Sequence, residues 1–346
     1  MKNELGMIGI DFVEFSGQRR EIFEKIFLAF GFSKKAKHQS RAIDYYNQND
    51  IHFFLNYEKN GFAESFEKVH GPSLCAMGWK FENPIKAFTL SLSRGARPAS
   101  SEWKKSNGQW IPAIFGIGDS LIYFVDANAS ANHYRDFGFV ELENSTEVRD
   151  CGFTRIDHLT NNVYKGTMNQ WADFYKNIFG FEEVRYFDIR GMKTGLTSYA
   201  LRSPCGSFCI PINEAEESKS QINEYLEEYK GPGVQHLAFL TDDILSSLDH
   251  INHQAIQMLD IEEDYYQEIF NKFPHVTEDH TEIKKKNVLV DGDEDGYLLQ
   301  IFTKNLIGPI FIEIIQRKNH LSFGEGNFGA LFRSIERDQM KRGVLN

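Results

Sequence analysis

The sequence predicts an α+β protein made of two related halves, each built from two strand–helix–strands units. Three observations carry this. The run Ile10–Glu14 (IDFVE) recurs as Ile156–Thr160 (IDHLT). Each run leads into an apolar stripe at helical spacing that stops at Gly-Phe. A Gly-Pro turn at Gly71-Pro72 recurs 160 positions later at Gly231-Pro232, each time opening a strand. The chain has 346 residues, enough for two domains of roughly 150 each. The polar run Asn144–Asp150 (NSTEVRD) places the boundary near 145–152, with domains at 1–148 and 149–346.

The elements follow in order. After the first strand, Ile22, Phe23, Ile26, Phe27 and Phe30 share a helix face, and Gly31 offers the left-handed cap that ends it. The strand after Gly71-Pro72 reads SLCAMGWK, and the first half closes with Ser120–Val125 (SLIYFV). In the second half Trp171, Phe174, Tyr175, Ile178 and Phe179 form the equivalent stripe, capped at Gly180. Val288–Asp291 is a strand, GDEDG at 292–296 a turn, Tyr297–Thr303 the returning strand, and Ile310–Gln316 another. A last helix starts at the N-cap Asn327, faces inward with Phe328, Leu331, Phe332, Ile335 and Met340, and ends at Gly343.

Composition removes several classes of function. Apolar residues at 41% and charged residues at 25% are ordinary globular usage, which excludes a disordered chain. Mean hydropathy is -0.42, and no run approaches the roughly 18 apolar residues of a membrane span. The N-terminus lacks the apolar core of a secretory signal. A net charge of -11 disfavours nucleic acid or an anionic membrane as partner. Four cysteines are too few for a disulfide scaffold, and Cys205 and Cys209 have no second pair to complete a zinc site, so all four read as free thiols. The 30 phenylalanines supply the core and allow an aromatic-lined pocket.

Two motifs mislead. Asp291, Asp293, Asp295 and Gly296 copy the start of a calcium loop, but its twelfth position is Phe302 instead of Glu and its flanks are strands. A hairpin turn is the better reading. Gly324, Gly326 and Gly329 match a dinucleotide fingerprint without its strands or its distal acid, and read as an approach to the last helix.

Comparison of the halves exposes a chemical constellation. Phe12 becomes His158, Ala76 becomes His236, and the last strand gains Glu313 in IFIEIIQ. A carboxylate in so apolar a strand is costly unless paired or metal-bound. Two His and one Glu form the facial triad of non-haem Fe(II) oxygenases, although a generic divalent-metal site uses the same donors. Each histidine alone is more often a hydrogen-bonded core or edge residue; Glu313 in its apolar strand is harder to dismiss. About eighty residues separate successive members, so the fold has to bring them together. Period-two alternation puts Phe311 on one face with Glu313, and Gln300 on one face with Phe302, an aromatic wall beside any metal.

The segments IDHLTNNV at 156–163, PINE at 211–214, GVQHLA at 233–238, LVDGDEDGYLLQIFT at 289–303, FIEIIQR at 311–317 and FGEGNF at 323–328 keep the order and spacing of a known family. Over residues 150–343 the chain resembles the 4-hydroxyphenylpyruvate dioxygenases, including bacterial members called legiolysins. The resemblance implies a tandem of vicinal-oxygen-chelate modules of repeated βαβββ units, related to glyoxalases and extradiol dioxygenases. The first module would lack metal ligands and a C-terminal helix would gate the second. It implies one Fe(II) per subunit on His158, His236 and Glu313, with no 2-oxoglutarate, since the substrate carries its own 2-oxo acid. It implies a substrate pocket of Ser203, Pro211, Asn213, Phe302, Phe311, Phe323 and Phe328, with Gln221, Gln235, Gln300 and Asn327 as the polar catalytic residues. The implied reaction converts 4-hydroxyphenylpyruvate and O2 to homogentisate and CO2 in tyrosine and phenylalanine breakdown, in a cytoplasmic homo-oligomer, dimer or tetramer. Ala215 stands where the family pattern has Pro, which touches only loop rigidity. A hydroxymandelate synthase, a ring-cleaving dioxygenase and a non-catalytic binding protein remain as alternative readings of the same scaffold.

Overall fold

The computed structural model describes residues 3–105, 107–127, 133–190, 194–217 and 220–343. Two curled mixed sheets, each edged by helices, account for almost all of them. From edge to edge the first runs Pro98–Ala99, Ala113–Phe115, Leu121–Asp126, Ser73–Phe81, Met7–Ser16, Ile51–Asn56, Ile43–Gln48, Ser33–His38 and Phe139–Thr146. The second runs Glu182–Arg190, Gly195–Arg202, Cys209–Ala215, Phe153–Val163, Gly233–Thr241, Phe311–Lys318, Tyr297–Phe302 and Leu289–Gly292. Both have the same centre: two antiparallel strands, each flanked on its outer side by a parallel strand. This is the duplicated βαβββ architecture that the repeated sequence runs predict.

The helix caps fall where the glycines are. The helix Arg20–Ala29 carries the first apolar stripe, and Gly31 follows it at φ +79. A Cβ on Gly31 would lie 2.7 Å from the Cys151 nitrogen, so the segment joining the sheets passes against that turn. The equivalent stripe in the second half differs from a plain helix. Met168–Phe174 is α-helical, and Tyr175–Phe179 widens into a π turn before Gly180 at φ +78. The two sheets meet through aromatic packing. Phe30, Phe32 and Phe53 close on Phe239, and Trp79 is enclosed by Phe179, Phe181 and Phe208 at 4.8–5.9 Å between ring centroids. Seven of the 30 phenylalanines are thus spent on the seam.

Register shows why only one sheet has a polar centre. Phe12 lies opposite Gly78 and Gly78 opposite Tyr123, just as His158 lies opposite Ala238 and Ala238 opposite Glu313. Ala76 pairs with Leu121 as His236 pairs with Phe311. The first sheet thus carries Phe12, Ala76 and Tyr123 at the three places. Phe12 stacks on Phe54 at 4.3 Å and meets Trp103 and Phe137 edge-on, so aromatic rings fill that interior. A carboxylate on the same strand as Phe12, Glu14, accepts from Asn56 (2.7 Å) and from Trp103 Nε1 (2.8 Å), and burial lifts its pKa.

Residues 291–296 form a hairpin turn, with Asp293 Oδ1 accepting from the backbone of Asp295 and Gly296. All four cysteines are unpaired. Among the described residues no helix is long and apolar enough to cross a membrane. The last helix spans Phe328–Lys341, with Gly343 at φ +75 just beyond it. Asn327 precedes the helix without capping it by its side chain, contrary to the sequence expectation. Its Oδ1 instead accepts from the Tyr265 hydroxyl at 2.6 Å.

Candidate metal centre and substrate cavity

Three neighbouring strands of the second sheet each contribute one donor. His158 Nε2 lies 3.1 Å and His236 Nε2 3.4 Å from Glu313 Oε2, and all three side chains are buried. Among the described residues this is the one group of three potential ligands whose donor atoms all lie within 4.8 Å of one another. Donors at about 2.1 Å from a shared ion, at right angles, are about 3 Å apart. The observed spacing fits such an ion, and two imidazoles with one carboxylate suit a divalent first-row metal.

A mostly apolar cavity opens from the three donors. Phe302, Phe311, Phe323 and Phe328 line it, joined by Phe187 and Ile189. Phe311 stacks on His236 at 4.7 Å, and Phe323 stands edge-on to His158 at 5.7 Å. The last helix forms one wall through Phe328, Leu331, Phe332 and Ile335. The polar lining is sparse: Thr160, Ser198, Asn213, Gln221 and Gln235. Such a site suits a flat, largely apolar ligand with a few polar groups.

Comparison with known proteins agrees with this geometry. Residues 1–140 match the model of the hydroxyphenylpyruvate dioxygenase N-terminal domain, and residues 155–301 match that of the glyoxalase/bleomycin resistance protein/dioxygenase superfamily. The chain is 58% identical to protein MelA of Shewanella colwelliana over 99% of both chains. It is 42% identical to the 4-hydroxyphenylpyruvate dioxygenase of Legionella pneumophila, over 99% of this chain and 98% of that one. This chain belongs to the 4-hydroxyphenylpyruvate dioxygenase family. A 4-hydroxymandelate synthase variant from Streptomyces coelicolor shares the fold, with a TM-score of 0.84 over 96% of this chain and 99% of that one, at 22% identity.

The residues that the family resemblance singles out do not all reach the cavity. Pro211, Asn213, Gln221, Gln235 and the four phenylalanines line it. Ser203 does not. It is fully buried in the turn between two strands, where its Oγ accepts from the Phe208 backbone at 3.3 Å. Ser198 takes the place in the lining, because it lies directly opposite Asn213 in the hairpin. Counting strand alternation back across the 203–208 turn would have found it. Gln300 and Asn327 also stand outside the lining, fully buried behind it. Neither amide atom of Gln300 has a hydrogen-bond partner among the described residues, and Asn327 Nδ2 has none either. Thr160, Phe187, Leu331, Phe332 and Ile335 line the cavity without having been marked as site residues; the last three belong to the inward face of the final helix.

The electrostatics of this family member's donors are strongly coupled. Burial alone would keep His158 neutral, but Glu313 and Asp157 overcome it and push its pKa up to about 9 in the metal-free chain. Burial holds His236 below its ordinary value despite Glu313. Burial also opposes ionisation of Glu313, yet the two histidines hold its pKa below the usual carboxylate range. Protons therefore compete with a metal at His158 well above pH 6, the onset that an unperturbed histidine would set. Metal binding at pH 7.5 is expected to release about one proton per site, and apparent affinity to fall about tenfold per pH unit below about pH 9. Calorimetry in two buffers of different ionisation enthalpy measures the proton; no release would contradict the coupling. The sign for the metal-free protein is opposite. A histidine with a raised folded pKa contributes stability below its unfolded value of about 6.5, and that contribution is lost as pH rises to about 9.

Proposed function

We propose that the protein is a 4-hydroxyphenylpyruvate dioxygenase, converting 4-hydroxyphenylpyruvate and O2 to homogentisate and CO2 in tyrosine and phenylalanine catabolism. The observation that carries this is the convergence of His158, His236 and Glu313 at the wall of an aromatic cavity, in a chain of this family. The three residues would hold one Fe(II), which when bound supplies the site where the substrate's 2-oxo acid and O2 meet. No 2-oxoglutarate is required.

The protein's own residues do the rest. Phe302, Phe311, Phe323 and Phe328 clasp the aryl ring and fix its distance from the metal. Ser198, Asn213, Gln221 and Gln235 offer hydrogen bonds to its oxygens. The unpartnered amide of Gln300 and the Asn327 Nδ2 are buried outside the lining, so any part they take in the reaction acts through the residues of the wall and not by contact with the substrate. The final helix excludes water from a reactive site. The first module, residues 1–148, is a scaffold without ligands in this reading. The cytoplasm is its compartment, in keeping with four unpaired cysteines.

The test is oxygen consumption by the iron-loaded protein with 4-hydroxyphenylpyruvate, combined with product identification. One homogentisate and one CO2 per O2 is expected. Predominant 4-hydroxymandelate would assign the protein as a hydroxymandelate synthase instead. The same assay probes the wall. Phe328 meets Phe187 edge-on at 5.3 Å and is the first wall residue of the helix. Ring attack and benzylic attack need differ by only about 1.4 kcal/mol for a tenfold preference. Phe328→Ile is therefore expected to lower the homogentisate yield several-fold and release some benzylic product. An unchanged product ratio would remove Phe328 from the control of regiochemistry.

A further inference from the structure

We infer that Arg317 is a positioning residue that couples the orientation of His158 to the seat of the segment carrying Phe323 and the final helix. The inference rests on the metal reading above and adds a part to it. In a regular strand Asp157 and His158 would point to opposite faces. The pairing with Gly233–Thr241 shifts register between Ile156 and His158, a bulge of the kind that re-aims side chains at functional sites. As a result Asp157 Oδ2 lies 2.8 Å from His158 Nδ1, which leaves Nε2 facing Glu313. Arg317, four residues beyond Glu313 on the same strand, grips both oxygens of Asp157, with Nε–Oδ1 and Nη2–Oδ2 both 2.8 Å.

The same guanidinium also reaches forward. Its Nη1 donates to the carbonyl oxygens of His320 (3.1 Å) and Ser322 (2.6 Å). Its Cζ lies 6.0 Å from the centre of the Phe323 ring, the ring that stands edge-on to His158. One planar cation thus holds the acid that orients a ligand and the backbone leading to the gate. Lysine, a point charge without the fork, cannot make these bonds together. The first half supplies a natural comparison. It keeps the bulge between Ile10 and Phe12 and keeps Asp11, but the position equivalent to Arg317 is Ala127. The bulge and the acid belong to the scaffold; the arginine belongs to the half with the metal donors.

The experiment uses the full metal-free chain with Co(II) as probe, read by visible absorption and by hydrogen exchange over residues 319–328. In the unaltered protein we expect Co(II) to bind and to add protection to that segment. In Arg317→Lys we expect Co(II) affinity to fall 10- to 100-fold, the usual consequence of losing a partner behind a metal ligand. At saturating Co(II) the added protection should also vanish. Asp157→Asn, which keeps the shape, should show both effects in weaker form and serves if Arg317→Lys does not fold. An arginine that only braces the fold would lower stability and leave the metal-dependent protection intact. That result, or unchanged Co(II) affinity, overturns the coupling. Failure of the unaltered chain to bind Co(II) would instead overturn the metal reading itself.

Discussion

Glu313→Ala is expected to reduce turnover to background and to strip the protein of iron. Glu313 supplies the only negative charge among the three donors, and both histidines lie within 3.4 Å of it. Without it a divalent ion would have two neutral imidazoles in a buried site and nothing to offset its charge. The isosteric Glu313→Gln keeps the volume and should fail equally, which separates loss of charge from loss of packing. The fold should survive in both, because the strand stays anchored by its buried neighbours Ile312, Ile314 and Ile315. A second signature follows from the coupling: with the carboxylate gone, the His158 pKa should drop from about 9, read by NMR titration of the variant without metal. A Glu313→Ala protein with full iron content and a near-native rate would refute the assignment of all three ligands.

Deleting the chain from Gly324 onward is expected to uncouple O2 consumption from product formation or to stop both. Four side chains of the final helix, Phe328, Leu331, Phe332 and Ile335, wall the cavity. Their loss would open the donors to water and expose apolar surface at about 25 cal/mol per Å². A milder variant keeps the truncation interpretable. Glu224, on the helix Gln221–Tyr229, accepts from Gln339 Nε2 at 2.8 Å and pairs with Arg342. Glu224→Ala therefore loosens the far end of the gate at a cost of about 1 kcal/mol and leaves the walls in place. Partial uncoupling is expected there, read as the ratio of O2 used to homogentisate formed. If the truncated enzyme stayed folded and fully coupled, the helix would be structural packing and nothing more.

The parts of the site that were legible in the sequence share one property: they violate a local pattern. Glu313 stands out because it interrupts IFIEIIQ, and His158 and His236 because the other half has Phe12 and Ala76 in their places. The stripes ending at Gly31 and Gly180 were legible because capping and helical period are local. The π turn at Tyr175–Phe179 was not, since an α-helical stripe and a widened turn bury nearly the same residues. Ser203 was misplaced for a related reason. It and Ser198 are both serines near one hairpin, and only the pairing across the turn shows which of them faces Asn213.

By itself, then, the sequence determined the duplication, the strands and helices that frame the repeat, and the family, and it singled out His158, His236 and Glu313 as candidate donors. Each follows from periodicity, from composition, or from contrast between two copies of one pattern. Tertiary structure alone decided that the donors meet, because successive members lie about eighty residues apart and only strand order and register bring them within 4.8 Å. It also decided that Asp157 turns toward His158. Regular alternation would point the two apart, and a one-residue slip against the neighbouring strand, which no single-strand pattern encodes, reverses that. The raised pKa of His158 has the same origin: burial would lower it, and Glu313 from a neighbouring strand together with Asp157, turned by the bulge, overcomes that.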